Sequence, residues 1–409
     1  MTQKRYFITI LILGALTALG PFSIDMYLPG FPAIAADLQT TTAQVSLSLS
    51  SFFIGISAGQ LLYGPLLDRF GRKKPLYIGL SVYIVTSLFC AITTDIEMLI
   101  LLRFIQAVGS CAAGVASIVM VRDLFPVNEN AKVFSLLMLV LGTSPMIAPT
   151  FGGYLTSALG WQSVFITLAI LALLMLIAVA VGLPAARKPD PTLSLKPKPI
   201  IRNFLVVIRE PQFYTYAATG AVAFSGLFAY VSASPLIFME VYKVSGEIYG
   251  WIFAFLSIGL IGSSQMTSVL LNKVRSEQIV HGALMFQVII GLIFLVTAYY
   301  DLLGLYETIA LIFVYLCTLG FIAPNTSALT MAPFTINAGS ASSLMGALQM
   351  SLGALASVCV SLSESRSAIP MTIVMSGASI LALSILLTGR RKIIPKEVTF
   401  IKEKEECEV

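Results

Sequence analysis

A carboxylate and a guanidinium stand inside otherwise apolar runs of this chain. Asp25 lies in Gly20-Pro21-Phe22-Ser23-Ile24-Asp25-Met26-Tyr27-Leu28-Pro29, and Arg103 opens Arg103-Phe104-Ile105-Gln106-Ala107-Val108-Gly109. A charge in such a run costs roughly 2.5–3.5 kcal/mol on insertion scales. Asp25 is either a helix-end residue at an outer interface or a buried acid able to load and release a proton. Arg103 either snorkels to the surface along its aliphatic stem or faces a polar cavity and partners an acid. Both fall toward the same end of their segments, so contact between them is expected. A third constellation is Gly64-Pro65-Leu66-Leu67-Asp68-Arg69-Phe70-Gly71-Arg72-Lys73-Lys74. An acid near a helix C-terminus is unusual, because that end prefers cations. Asp68 therefore calls for a partner, which is Arg69, Arg72 or the N-terminus of a neighbouring helix, and Gly71 permits the tight turn. The plainer alternative is a basic turn that only sets topology.

The elements that hold these residues must be membrane helices. Of 409 residues, 57% are hydrophobic and 11% charged, with a mean hydropathy of +0.91. A soluble domain is about 45–50% apolar and about 25% charged. The composition excludes a soluble fold, and it excludes disorder, which needs few apolar residues and many charges. A bilayer core takes about 20 apolar residues per helix. That ruler gives twelve segments: 6–28, 44–66, 75–94, 98–121, 131–157, 161–183, 213–239, 248–271, 279–300, 306–331, 340–362 and 369–388. Runs this long span as helices because their backbone groups must pair internally. The expected fold is an all-α polytopic membrane protein. The first segment follows Lys4-Arg5 without a small-residue cleavage pattern, so a retained helix is expected. Five cysteines without a CxxC, and the single histidine His281, leave no ordinary zinc site. They also leave little from which to build an intramembrane enzyme, so no enzymatic activity is expected.

Lys and Arg in short loops orient the helices. With the N-terminus cytoplasmic, 22 of the 25 basic residues fall inside. They cluster at Lys4–Arg5, Arg69–Lys74, Arg122–Lys132, Arg187–Arg209, Lys273–Arg275 and Arg390–Lys404. Lys243 and Arg366 fall outside, and Arg103 lies within the fourth span. Both termini are expected in the cytoplasm, and the net charge of +5 then requires no nucleic acid. Six prolines between Pro184 and Pro211 argue against a helix there and mark a linker. The chain divides into a six-helix lobe (1–183), a cytoplasmic linker (184–212), a second six-helix lobe (213–388) and a cytoplasmic tail (389–409). Phe7, Gly14, Gly20, Phe22 and Pro29 fall on Phe213, Gly220, Gly226, Phe228 and Pro235 at one offset, which points to duplication. Repeated six-helix halves are a transporter signature, with the binding site near the midplane between them.

The loop Gly64–Lys74 resembles the cytoplasmic signature of the major facilitator superfamily. That resemblance implies a gating cluster of Gly64, Asp68, Arg69, Gly71 and Arg72, joined by Arg122 and Asp123 at the end of the fourth span. The string from Arg103 resembles the superfamily's RxxQGxG motif, with Ala107 in place of a glycine, and implies a part for Arg103 in proton transfer. Gly142-Thr143-Ser144-Pro145-Met146-Ile147-Ala148-Pro149-Thr150-Phe151-Gly152-Gly153 resembles the GPxxGG motif of its drug/proton antiporters. Ala148 replaces the usual glycine; the motif residues Gly142, Pro145, Pro149, Gly152 and Gly153 bend the fifth helix and let a partner approach. A packing kink without transport meaning is the alternative. Ser23–Pro29, Gly59–Pro65 and Val121–Pro126 are similar to the bicyclomycin-resistance (Bcr/CflA) branch.

The resemblance implies a twelve-helix major facilitator fold in a bacterial inner membrane. It implies proton-driven export of small, largely apolar antibiotics, with Asp25 and Arg103 as the coupling pair. The first half is expected to carry coupling and the second to shape the pocket. Candidate substrate contacts are Phe22, Tyr27, Gln106, Phe224, Phe228, Tyr230, Asn325 and Gln349. No cofactor is expected beyond the proton gradient. The expected partners are drugs, protons and the bilayer, and the expected state is a monomer. A proton-coupled nutrient symporter of the same fold is the alternative.

Overall fold

Long apolar runs have no water to receive their N–H and C=O groups, so the runs pair within themselves as helices. The computed structural model describes residues 3–184, 197–334, 338–363, 367–391 and 393, and among them every regular element is helical. In chain order these are α1 (Gln3–Asp25), a 3-10 turn (Leu28–Gly30), α2 (Phe31–Asp37), α3 (Thr42–Phe70), α4 (Lys73–Ile92), α5 (Ile96–Leu124), α6 (Val127–Leu159) and α7 (Gln162–Gly182). Then follow α8 (Pro197–Ile208), α9 (Pro211–Pro235), a π-helical turn (Leu236–Val241), α10 (Gly246–Leu270), α11 (Ser276–Tyr299), α12 (Leu305–Met331), α13 (Ala338–Ser361) and α14 (Ile369–Arg390). Twelve helical stretches are long and apolar enough to cross a membrane, in agreement with the twelve segments read from hydropathy.

Local chemistry sets several boundaries. Thr41 and Asp95 cap α3 and α5 by accepting from the N–H groups of Gln44 (3.2 Å) and Met98 (2.9 Å). Such a cap satisfies one of the orphaned donors of a first turn. Gly71 ends α3 at φ +78°, a conformation that a side chain disfavours.

The linker departs from the expectation that its prolines would exclude a helix. Residues 200–210 contain no proline, and Pro197 sits at the start of α8, where a missing N–H is harmless. Val207 on α8 is buried in a small cluster with Phe213, Ala217 and Ala341. Linker residues 185–196, and the tail beyond 393, lie outside the described residues.

Helices α1 and α3–α7 pack on one another, as do α9–α14. The two groups meet mainly along α3–α13 and α6–α10. Within the first group, Gly55 and Gly59 of α3 face Ala107 and Cys111 of α5, and Gly79 of α4 faces Ala112. Small residues at these crossings let the backbones approach, which is how helices associate without a hydrophobic drive. Arg69, Arg72, Lys73, Lys74, Arg122, Lys273 and Arg275 gather at one end of the bundle, the basic end; the opposite end is the far end.

Candidate functional site

Arg103 lies on α5 and is fully buried, so it does not snorkel. Its guanidinium donates to the Ser23 carbonyl (2.8 Å) and to Gln106 Oε1 (2.5 Å). The Ser23 carbonyl is among the last four of α1, which have no partner within the helix. Arg103 therefore closes the end of α1. Gln106 passes the chain on by donating to Ser87 Oγ on α4 (2.7 Å). Ser23 Oγ meets the Tyr83 hydroxyl, also on α4, at 2.6 Å. The guanidinium also lies over Phe52 (4.1 Å), Tyr27 (4.2 Å) and Phe165 (5.7 Å), a geometry that attracts a cation to ring faces. Tyr83, Ser87, Phe52 and Phe165 had not been singled out from sequence; the four-residue spacing of Tyr83 and Ser87 was the available signal.

The expected ion pair is absent. Among the described residues, no hydrogen bond or ion pair reaches the Asp25 carboxyl. Asp25 is nonetheless only 5% exposed. Arg103 takes the carbonyl of Ser23, two residues earlier on α1, rather than the carboxylate. Residues two apart on a helix do not share a face.

At the basic end, Arg72 binds two acids. Its Nε donates to Asp123 Oδ2 (2.6 Å) and its NH1 to Asp68 Oδ1 (2.7 Å). The Arg72 side chain is 4% exposed, that of Asp123 17% and that of Asp68 48%. Burial works against the Arg72 cation, but the hydrogen bonds and charges of Asp123 and Asp68 outweigh it and raise its proton affinity above the ordinary arginine value. Of the alternatives for Asp68, the structure selects Arg72. Arg69 lies beside the Phe70 ring, and Arg122 is exposed. All three members of the cluster come from the first group, while Gly64 faces Ser343 of α13.

The motif of the fifth span lies on α6, with Pro145 and Pro149 inside the helix. Any Cβ on Gly152 would overlap the Met26 carbonyl at the end of α1. A Cβ on Gly153 would lie 2.5 Å from the Gly246 carbonyl of α10, and one on Gly250 the same distance from Thr150. Gly142 faces Ile261 further along. These glycines bring α6 against both groups at the far end. The companion seam is lined with serines. Ser50 meets Ser357 (2.6 Å), Ser57 meets Ser351 (2.7 Å), and Ser46 meets both Ser361 and Ser232 of α9 (3.0 Å to the latter).

The substrate candidates separate. Tyr27 and Gln106 are both buried around Arg103, with Tyr27 also bonded to Ser48 at 3.2 Å. Phe22 is half-buried against the core. Phe224 and Gln349 line a small cavity of about 20 Å³ with Tyr216, Gly220, Thr326 and Met345. Phe228 joins the groups, packing on Phe53 of α3 at 4.5 Å and on Phe224 at 5.6 Å. Asn325 donates to the Phe321 carbonyl (2.8 Å) and its Oδ1 is unpartnered. Tyr230 is buried with an unpartnered hydroxyl.

A family model described as Major Facilitator Superfamily matches residues 13–358. The chain is 32% identical to the uncharacterised MFS-type transporter YdgK of Bacillus subtilis, covering 91% of this chain and 93% of the relative. It is also 32% identical to a bicyclomycin resistance protein homolog of Haemophilus influenzae, over 93% of this chain and 96% of the relative. Identity to the multidrug resistance protein MdtL of Escherichia coli is 28%, over 92% and 95%. Among solved structures, a D-xylose-proton symporter superposes with a TM-score of 0.74 at 14% identity, covering 93% of this chain and 97% of the other. A bacterial homolog of the human lysosomal transporter Spinster superposes with a TM-score of 0.69 at 12% identity, over 95% and 96%.

Proposed function

The chain belongs to the Major Facilitator Superfamily, a family of transporters rather than enzymes and here a multi-pass membrane protein, and from that premise we propose that it exports small, largely apolar drugs in exchange for protons. The observation that carries this reading is Asp25: a carboxyl 5% exposed, without an ion-pair partner, at the meeting of α1 with the seam of α6 and α10. A carboxylic acid in that setting is a site where a proton can be taken up and released. The names of the relatives from Haemophilus influenzae and Escherichia coli support drugs as cargo.

In this reading the basic end faces the cytoplasm of a bacterial inner membrane, following the distribution of Lys and Arg. Drug occupies an apolar and aromatic space between the groups; the small cavity at Phe224 and Gln349 lies within the second group, among α9, α12 and α13. Protons from the far side reach Asp25, and its change of charge alters the relative stability of the two access states. A proton drives transport only through such a differential. Arg103 acts as a positioning residue that fixes the end of α1, on which Asp25 sits. The proton gradient is the energy source, no cofactor is required, and a single chain suffices.

The test is transport in inverted vesicles under an imposed pH gradient, with substrates chosen by a resistance panel in an efflux-deficient host. Drug should accumulate in an acidified lumen, and Asp25→Asn should abolish the dependence on the gradient. Acid-driven release from the lumen instead would identify an importing symporter. Full proton-coupled accumulation by Asp25→Asn would refute the role of Asp25.

A further inference from the structure

Asp25 ends α1 where four other helices converge. On one side Arg103 of α5 holds the Ser23 carbonyl, and Tyr83 of α4 meets the Ser23 hydroxyl. Just beyond Asp25, the Met26 carbonyl is set against Gly152 of α6. Pro29 in the following turn touches Gly246, the first residue of α10. One turn into α10 stands Tyr249, fully buried, its hydroxyl 2.8 Å from Ser234 Oγ. Tyr230 of α9 is stacked on Phe253 of α10 (5.6 Å), and the Tyr249 ring also packs on Phe253 (6.1 Å). Phe253 thus holds both phenols in place. Tyr230 and Tyr249 both lie within electrostatic reach of Asp25.

Most other ionisable groups of this region are engaged elsewhere. The two terminal nitrogens of Arg103 are committed to Ser23 and Gln106 while its buried Nε has no partner, Tyr27 is bonded to Ser48, and Tyr83 to Ser23. Nearer the far end, Asp37 accepts from Trp161 and Gln162, and Glu240 accepts from Thr42. Glu247 lies in the half-exposed first turn of α10. Three groups remain unsatisfied in this region: the buried Asp25 carboxyl with no hydrogen bond, the buried Tyr230 hydroxyl and Arg103 Nε; of the two donors, Tyr230 stands on the opposite group from Asp25. A buried polar group left unpaired is costly, so each such group calls for a reason.

We propose that Tyr230, supported by Tyr249, is the hydrogen-bonding partner of Asp25, so that the proton site is shared between the two halves of the protein. This rests on the reading that Asp25 carries the proton. A phenol suits both states of the acid. Its O–H donates to the carboxylate, and its oxygen accepts from the protonated carboxyl. Asp25 is on the first group and both phenols are on the second, so the relative movement of the two groups sets whether a phenol or water meets the carboxyl. The proton affinity of Asp25 then depends on which way the transporter faces, and the second half takes part in coupling as well as in shaping the pocket.

The full-length protein in lipid nanodiscs is titrated with protons alone and followed by infrared difference spectroscopy. The protonated-carboxyl band of Asp25 is identified by its loss in Asp25→Asn. In Tyr230→Phe that band should move, and its titration midpoint should shift to higher pH by about one unit, a tenfold change in proton affinity. Tyr249→Phe should give a smaller shift in the same direction. Tyr→Phe keeps the ring and its packing on Phe253, so a purely structural role leaves band and midpoint unmoved. If Asp25→Asn removes the band and the coupled flux, but both phenylalanine variants and their combination titrate as wild type, the shared site is wrong while the role of Asp25 stands. If Asp25→Asn retains coupled flux, both fall.

Discussion

Replacing Arg103 by methionine and Asp25 by asparagine, singly and together, decides whether these residues act as a pair. A buried ion pair broken on one side leaves an uncompensated charge and costs about 3–5 kcal/mol. The structure gives a different account. Methionine at 103 orphans the Ser23 carbonyl and Gln106 Oε1, at about 1–3 kcal/mol each. It also loses the contacts with Phe52 and Tyr27, worth about 2 kcal/mol when desolvated. Against this, the variant no longer buries a guanidinium, and that relief is several kcal/mol. The single change should therefore destabilise by only about 1–3 kcal/mol. The coupling is the sharper quantity. Asp25 and Arg103 share no hydrogen bond or ion pair but both act on the end of α1, so their coupling should be only about 0.5–1 kcal/mol. Reversible unfolding of the purified protein in mixed micelles, run on wild type, both single variants and the double variant, yields the coupling directly. A value above about 1.5 kcal/mol would mean that the carboxylate and the guanidinium meet, and the separation argued from the Ser23 carbonyl would be wrong.

Asp123→Asn should destabilise by about 1.5–3 kcal/mol, because it weakens a charge-assisted bond to a buried arginine. Asp68→Asn should cost less than about 1 kcal/mol, since that carboxylate is half in solvent; thermal unfolding in detergent ranks the two, and the reverse order defeats the assignment. Gly152→Val forces a side chain onto the Met26 carbonyl and should cost about 1–3 kcal/mol or more with lost transport, whereas Gly114→Ala, which meets open space, should be silent in both assays. In a background lacking the native cysteines, Ser46→Cys with Ser361→Cys should cross-link and stop transport until reduced, since the two hydroxyls touch across the far-end seam. Transport at the wild-type rate by the cross-linked protein would show that this seam does not open.

Span count and boundaries were legible because length and hydropathy are properties of one segment at a time. The helix at 197–208 does not show in the proline density of the whole linker, although residues 200–210 are free of proline. Asp25 and Arg103 stood out as charges in apolar runs, but their relationship did not. Depth along a helix can be counted from sequence; rotation about its axis against a neighbour cannot. Moreover, Arg103 chose a backbone carbonyl, and a carbonyl carries no sequence signal. The Arg72 cluster was easier, because Asp68 and Arg72 are four residues apart and Asp123 sits at a helix end on the same side. The serine seam was invisible, since it joins residues about 300 positions apart through side chains common in any helix.

That seam bears on how large a driving force the cycle needs. A hydrogen bond between membrane helices contributes about 0.6 kcal/mol on average. Among the described residues six hydrogen bonds join α3 to the second group: Ser46 to Ser232 and Ser361, Ser50 to Ser357, Ser57 to Ser351 and the Ala347 carbonyl, and Thr42 to Glu240. Together they hold the groups by roughly 3–4 kcal/mol. Parting them leaves few orphans, because Ser50 already donates to the Ser46 carbonyl and Ser361 to the Ser357 carbonyl, and water can reach an opened seam. The coupling energies that ligands commonly exert are about 1–3 kcal/mol. A hydroxyl seam is therefore comparable to what a proton and a drug together can supply, whereas packed leucines, at about 1.5–3 kcal/mol for each side chain fully re-exposed to water, would lock the groups together. The far end combines this weak hydroxyl contact with the close glycine contact of α6 on α10. The fold thus joins the two halves by a close glycine contact at α6 and α10 and by a hydroxyl contact, with the Phe53–Phe228 packing, at α3.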